Sequence, residues 1–242
     1  NNLLENEIAA GTISTGVGNM DGIRIRNATT TNITRNRIST RGFSANNGIL
    51  LDNDGNDTIA VGNNITTMGA TSHGINVNDG YRNSFFNNTV NASNVSSSDW
   101  RSTTSAFGSL VTNLTLGRTS TVITFQDYNG TSIKAIRANE PRASTNNTGG
   151  TSINKYVNIS ANSLGSVIFI NISYNSSDIS SLNESKLRIW KYDDTLGQWI
   201  SSGFSGSSGV DTTGDIVFAN ITSQDGTFGV FSNGAPTITR VD

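Results

Sequence analysis

The chain has 242 residues, a formal net charge of −2 and no cysteine. Disulfides, thiol catalysis and cysteine-ligated zinc are excluded, and so weak a charge gives no field to hold nucleic acid or an anionic membrane. Leu, Ile, Val and Phe number 58, too many for a disordered chain, and Ile, Val and Thr number 67 against 11 for Glu, Lys and Gln. Pleated sheet uses the first set and exposed helix the second, so the expected class is all-β.

Taken from the N-terminus, the first strands are expected in "NNLLENEI". A phrase then returns three times: "GIRIRNATTTNI" from Gly22, "GILLDNDGNDTI" from Gly48 and "GINVNDGYRNSF" from Gly74, with starts 26 residues apart. Its apolar columns are Ile23/Ile49/Ile75, Ile25/Leu51/Val77 and Ile33/Ile59/Phe85, followed by Ile38, Ile65 and Val90. Leu3 and Ile8 make the opening segment the second half of an earlier unit. Alternating strands of this length, broken by Asn/Gly/Asp corners, predict a solenoid of parallel strands whose columns stack at about 4.8 Å per rung. The fixed glycine marks a corner with positive φ or close backbone approach, and Asn27, Asn53 and Asp79 share a turn column that tolerates the left-handed region.

The rhythm fades after Val90, and the Ser/Thr/Asn-rich stretch around Trp100 is expected to be the last coil or its cap. Strand-like runs follow: "SLVTNLTLG", "STVITFQDY", "TSIKAIRA", "KYVNISAN", "SVIFINISY", "SKLRIWKYD", "GQWISSG", "DIVFANIT" and "TFGVFSN". Their spacing, with turn signals between them, predicts an antiparallel sandwich. The segment Asn139–Ser152 reads as a loop, and "RIWKYDDTLGQWISS" as a hairpin with Trp190 and Trp199 on its two arms. The expected organisation is a parallel β-helix with its cap over 1–105, a β-sandwich over 106–234, and a linker or docking arm over 235–242.

The segments "NKYVNISANSLGSVIFINISYNSSDISSLNESKLRIWKYDDTLGQWISS" and "GVDTTGDIVFANITSQDGTFGVFSNG" resemble the β-sandwich repeated in archaeal cell-surface (S-layer-type) proteins. The order and spacing of the tyrosine strand, the "LNES" turn, the tryptophan hairpin and the closing Phe-rich strand carry that resemblance. The first part of the chain resembles the right-handed parallel β-helix repeats of archaeal surface proteins, repeats also found in polysaccharide lyases and hydrolases. The pairing implies a short parallel β-helix followed by an immunoglobulin-like antiparallel sandwich. It also implies an exported, glycosylated, surface-associated protein with no catalytic residues to carry over.

Several side chains invite chemistry. Asp52, Asp54 and Asp57 surround Gly55 with oxygen ligands suited to calcium, although the distal glutamate of a full calcium loop is missing, and an ordinary corner is the plainer reading. Paired carboxylates also serve glycosidases, with Asp52 and Asp54 on one rung and Asp79 a rung away, but sugar-stacking aromatics are sparse. His73, the only histidine, reads as a loop residue. Arg24, Arg26, Arg35, Arg37 and Arg41 form a basic stretch that is either a solvated face or a contact for anionic glycan or a neighbouring subunit, with Arg26 expected above Asp52. The chain has fifteen Asn-x-Ser/Thr sequons, nearly twice what its composition gives by chance: Asn27, Asn32, Asn56, Asn64, Asn87, Asn91, Asn94, Asn113, Asn129, Asn146, Asn158, Asn171, Asn175, Asn183 and Asn220. Asn87, Asn91 and Asn94 are the favoured glycan sites.

The functional expectation is a non-catalytic, extracellular cell-surface protein, a subunit of an archaeal surface layer, sheath or filament. The alternative is a carbohydrate-binding or polysaccharide-cleaving β-helix protein. No cofactor is expected beyond calcium. The expected partners are N-linked glycans and further copies of the chain, joined through the open N-terminal rung and the C-terminal arm into a homo-polymer. No apolar run is long enough to span a membrane, and no signal-peptide pattern stands at Asn1.

Overall fold

Residues held at positive φ cut each turn of the N-terminal half into short strands. Asn27, Arg35, Asn53, Asp57 and Asn87 all occupy the left-handed region, where asparagine and aspartate are the least costly residues with a side chain. The computed structural model describes residues 2–10, 20–42, 45–94, 96–127, 130–137, 151–161, 168–180, 182–222 and 225–232. The first strands are β1 (Asn2–Leu4) and β2 (Glu7–Ala10), then β3 (Ile23–Arg26), β4 (Asn32–Thr34) and β5 (Arg37–Thr40). The next turn has β6 (Ile49–Asp52), β7 (Ile59–Val61) and β8 (Asn64–Thr67). β9 (Ile75–Val77), β10 (Gly80–Tyr81), β11 (Ser84–Phe86) and β12 (Thr89–Ala92) form another, and β13 (Trp100–Ser102), β14 (Ala106–Phe107) and β15 (Ser109–Leu116) the last.

These strands stack in parallel on three faces. One face is β3-β6-β9-β13, a second β1-β4-β7-β11-β15 and a third β2-β5-β8-β12-β15. The fold is an all-β solenoid. The first face aligns Ile23, Ile49, Ile75 and Trp100, and beside them Ile25, Leu51 and Val77. All seven side chains are buried, as a two-residue alternation requires. The third face aligns Ile8, Ile38, Ile65 and Val90 as expected.

The second face differs from the sequence reading by one residue. Its inward column is Leu3, Ile33, Ala60, Phe85 and Val111, so Ala60 takes the core position expected for Ile59. Ile59 faces solvent, 41% exposed. The small side chain at Ala60 lies beside Phe85, which also packs edge-on against Trp100 at 4.9 Å. Large beside small is how close-packed layers interdigitate.

The repeated glycine serves close approach rather than positive φ. A Cβ on Gly48 would lie 2.1 Å from Ile65 Cγ2 and 2.6 Å from the Gly74 carbonyl oxygen, and Gly22 and Gly74 are as crowded. The glycine column is therefore the seat into which the third face packs.

Beyond the rungs the strands turn antiparallel: β16 (Thr121–Asp127), β17 (Thr131–Arg137), β18 (Thr151–Ala161), β19 (Ile168–Ser173), β20 (Leu187–Asp193), β21 (Gln198–Ile200), β22 (Gly209–Asp211), β23 (Ile216–Ile221) and β24 (Gly226–Ser232). They extend the solenoid's own sheets. β15 pairs with β11 and β12 on one side and antiparallel with β16 on the other, and the sheet continues through β19, β23 and β22. On the other face β13 pairs antiparallel with β17, then come β18, β24, β20 and β21. β15 spans two faces because its register shifts between Val111 and Leu114, where Asn113 has positive φ. Ladders thus cross residue 105, and one apolar core runs from Ile23 to Val230. The tryptophan hairpin forms as read, Tyr192 opposite Trp199. Most of the loop read over Asn139–Ser152 lies outside the described residues, and its last two residues open β18. The arm over 235–242 is also outside them.

Candidate functional site

The three aspartates around Gly55 do not converge. Asp52, at the end of β6, is bonded by Arg24 Nη2 at 2.6 Å. Asp57 takes both Arg82 Nε and Nη2 at 2.8 Å in a bidentate pair, and that hydrogen-bonded guanidinium holds its carboxyl below the usual range. Asp54 stands exposed at a positive-φ corner. Asp79 Oδ1 accepts the Gly80 backbone N–H. Among the described residues no three His, Cys, Asp or Glu side chains come close enough to hold a metal.

The basic stretch is dispersed by the coil. Arg24 pairs with Asp52, the partner expected for Arg26, although the register does set Arg26 beside Asp52. Arg26 instead lies against the Asn53 carboxamide. Arg35 pairs with Glu5 at another corner, and Arg37 and Arg41 are exposed.

Two polar ladders hold the corners. Asn36 N–H and Nδ2 both donate to Asn63 Oδ1, at 2.9 and 3.0 Å, and Asn63 donates likewise to Asn88 Oδ1. Asn6 donates to Asn36 in the same way. The sequence reading missed this column, yet a signal was present: Asn6, Asn36, Asn63 and Asn88 each precede the third-face apolar residue by two positions. His73 belongs to the second ladder and is more than a loop residue. Asn47 N–H donates to Asp21 Oδ1, His73 N–H to Asn47 Oδ1, and Ser98 N–H to His73 Nδ1 at 3.0 Å. Burial first, then the Arg101 and Lys134 cations, lower the His73 pKa to about 4. The neutral ring is the form that can accept the Ser98 proton.

That second ladder forms one wall of a groove of about 480 Å³ along the outer face of β3, β6, β9 and β13. The outward column beneath it is Arg24, Leu50, Asn76 and Arg101. Leu50 and Asn76 are buried although they point away from the core, because the corners carrying Ala45, Asn47, Thr71, His73 and Ser96 line the groove beside them.

Buried charge marks the passage from coil to antiparallel sheet. Asp99 follows Gly74 in the glycine column, as the Ile75 N–H to Asp99 carbonyl bond shows. Its carboxylate accepts the N–H groups of Ala92 and Ala135 at 2.9 and 2.8 Å, and burial raises its pKa to about 6. Asp127 accepts from Trp100 Nε1, Ser102 Oγ and Thr131 Oγ1. Farther along, Lys155 Nζ reaches Asp178 at 2.8 Å and the Ser173 carbonyl at 2.6 Å.

The sequons divide cleanly by exposure. Asn27, Asn64, Asn87, Asn113, Asn175 and Asn183 are exposed, and Asn32, Asn56, Asn91, Asn94, Asn158, Asn171 and Asn220 are partly so. Asn129 and Asn146 lie outside the described residues. Of the favoured three, Asn87 is an exposed corner, while Asn91 lies in β12 with its Oδ1 buried.

Residues 2–117, just under half of the chain, match the family model described as periplasmic copper-binding protein (NosD). The match ends one residue beyond β15, where the sheet turns antiparallel. No curated protein and no solved structure matches the chain.

Proposed function

We propose that this chain is an exported, non-catalytic structural protein of a cell surface, a glycosylated subunit of an archaeal surface layer, sheath or filament. The observation that carries the reading is the partition of asparagines. Every buried one among the described residues, Asn36, Asn46, Asn47, Asn63, Asn76, Asn83 and Asn88, lies outside a sequon. Every sequon asparagine among the described residues reaches solvent. Asparagine sealed inside the coil is thus kept apart from asparagine that can carry glycan, although the sequon residues Asn56, Asn94 and Asn175 also accept backbone N–H groups.

The periplasmic family description supports a place outside the cytoplasm, and no helix among the described residues is long and apolar enough to cross a membrane. Copper is not carried over with that description. The chain has no cysteine, two methionines and one histidine, and His73 Nδ1 already accepts the Ser98 N–H. Copper sites draw on several thiolate, thioether or imidazole donors, so the donor set does not fit. The acidic corners favour a non-catalytic role. A carboxyl serving as general acid needs a raised pKa, whereas Arg82 lowers that of Asp57.

In this reading β16–β24 form the immunoglobulin-like sandwich expected over 106–234, and β15 joins it to the last turn of the solenoid. The rungs supply a stiff body whose end can be extended. Among the described residues β1 pairs only with β4 and β2 only with β5. Unpaired edges are templates for strand addition, and a strand of another copy can pair there. Electron microscopy of native material should show a lattice, sheath or filament, and incubation with polysaccharides should release no reducing ends or unsaturated uronides. Dispersed monomers that cleave a polysaccharide would overturn the reading. The groove above β9 favours a second role, holding saccharide without cleaving it.

A further inference from the structure

Asn76, like Asn91 on another face, is an outward asparagine of the solenoid with a buried, unbonded side-chain oxygen. It is 4% exposed, and its Oδ1 is buried without a hydrogen-bond partner at the floor of the groove. A buried acceptor left without a donor costs stability, and nothing in the coil's construction asks for it. Asn36 and Asn63 each bond in both directions, and Asn46 and Asn83, which leave Nδ2 unbonded, still accept a backbone N–H at Oδ1. An apolar side chain at 76 would seal the floor better, as Leu50 does one rung away.

One rung beyond Asn76 is Arg101, partly exposed, with no carboxylate within ion-pair distance among the described residues. The equivalent cation at the other end, Arg24, is already paired with Asp52. Arg101 and Lys134 both act on His73 as positive charges, so this end of the groove favours an anion. Apart from the His73 imidazole the lining has no aromatic ring; it carries the amides of Asn47, Asn76 and Asn78, the Thr71 hydroxyl and, toward the Arg24 end, the Asp21 carboxylate. The volume is in the usual range for a small-ligand site.

We propose that the groove over β6, β9 and β13 binds an acidic saccharide, with a sugar carboxylate on the Arg101 guanidinium and a sugar hydroxyl donating to Asn76 Oδ1. The two contacts ask for different things. Asn76 Oδ1 needs a donor, which a carboxylate cannot be, and Arg101 needs an anion, for which a guanidinium fork is the matched partner. They sit one rung, about 4.8 Å, apart, a separation that one uronic acid ring with its neighbouring hydroxyls can bridge. A groove that runs across rungs also suits an extended chain of such rings. An acidic peptide shares the carboxylate but would bring side chains for which this polar lining offers no apolar recess.

The test uses the full chain made without glycan, so that it is independent of sequon occupancy and of assembly. Isothermal titration would compare tri-galacturonate, neutral galactotriose and poly-glutamate. Tri-galacturonate should bind at least tenfold more tightly than galactotriose, and poly-glutamate should not compete with it. Arg101→Gln should abolish the preference for the uronate and leave galactotriose binding unchanged. Asn76→Val should weaken both saccharides about tenfold while its thermal midpoint stays level or rises, because the orphan acceptor is gone. The last result separates a binding residue from a structural one. Absence of binding by the wild type at millimolar uronate would overturn the proposal. So would equal binding of the two saccharides with Arg101→Gln silent, poly-glutamate binding as tight as the uronate, or a lowered midpoint in Asn76→Val.

Discussion

In the solenoid a side chain's neighbours lie one rung away, so Ile49 touches what stands about 26 residues before and after it. In the antiparallel strands neighbours come from the facing strand, as Tyr192 meets Trp199 across a short turn. Both regions add to one core, but they satisfy polar groups differently. The coil leaves backbone N–H groups at each corner and pays for them with stacked asparagines and His73. Between the antiparallel strands Asn175, Asp193 and Asp211 cap their own turns locally, and the costliest polar feature there among the described residues is the buried Lys155–Asp178 pair. A repeating fold spreads its polar requirement over many similar bonds, and a meandering one concentrates it.

That contrast can be broken from its concentrated side first. Lys155→Met should cost about 3–5 kcal/mol, since it leaves the Asp178 carboxylate buried with its cation removed. Urea unfolding measures it. On the distributed side, Ile49→Ala should cost about 2–5 kcal/mol as a core cavity. Ile59→Ala, ten residues on, should stay within about 0.5 kcal/mol because Ile59 points outward. Equal losses at the two isoleucines would mean that the second-face register is wrong. Asn63→Ala should cost about 1–3 kcal/mol, the penalty for leaving the buried Asn36 N–H without its acceptor.

The smallest effect depends on pH. The His73 pKa falls from an ordinary 6.5 to about 4 in the folded chain, so its contribution is intact above about pH 6.5 and is lost as pH falls toward 4. Asp99 shifts the other way, from 3.8 to about 6, and destabilises the fold as pH rises through that window. The two oppose each other, and the intact chain should vary little in stability between pH 4 and 6.5. His73→Asn puts at this corner the residue that Asn47 already is one rung earlier, and Asn Oδ1 can accept the Ser98 N–H. Stability at pH 7 should therefore change by less than about 1 kcal/mol. The Asp99 contribution, then unopposed, should make the variant gain stability on acidification toward pH 4. Thermal melts at the two pH values would show it.

Much of this was legible in the sequence, for reasons that differ by position. Three of the four apolar columns followed from the alternation of Ile23 with Ile25 and the return of Gly48 and Gly74. Ile59 misled because periodicity counts apolar residues and cannot see that Phe85 needs a small neighbour at Ala60. Asp52, Asp54 and Asp57 looked like one site because they are close in sequence. In a coil the corner turns them apart, and arginines from different rungs meet Asp52 and Asp57. The groove was not legible at all. Leu50, Asn76 and Arg101 are read as outward residues, and only the corners lining the groove bury the first two.

The exported, glycosylated reading is tested most directly by the mass of native material. The bare chain is 25.6 kDa. Intact mass spectrometry should find this segment heavier by discrete glycan increments, and peptide mapping should place them on Asn27, Asn64, Asn87, Asn113, Asn175 or Asn183 before the half-buried sequons. A native mass equal to that of the bare chain would contradict the account.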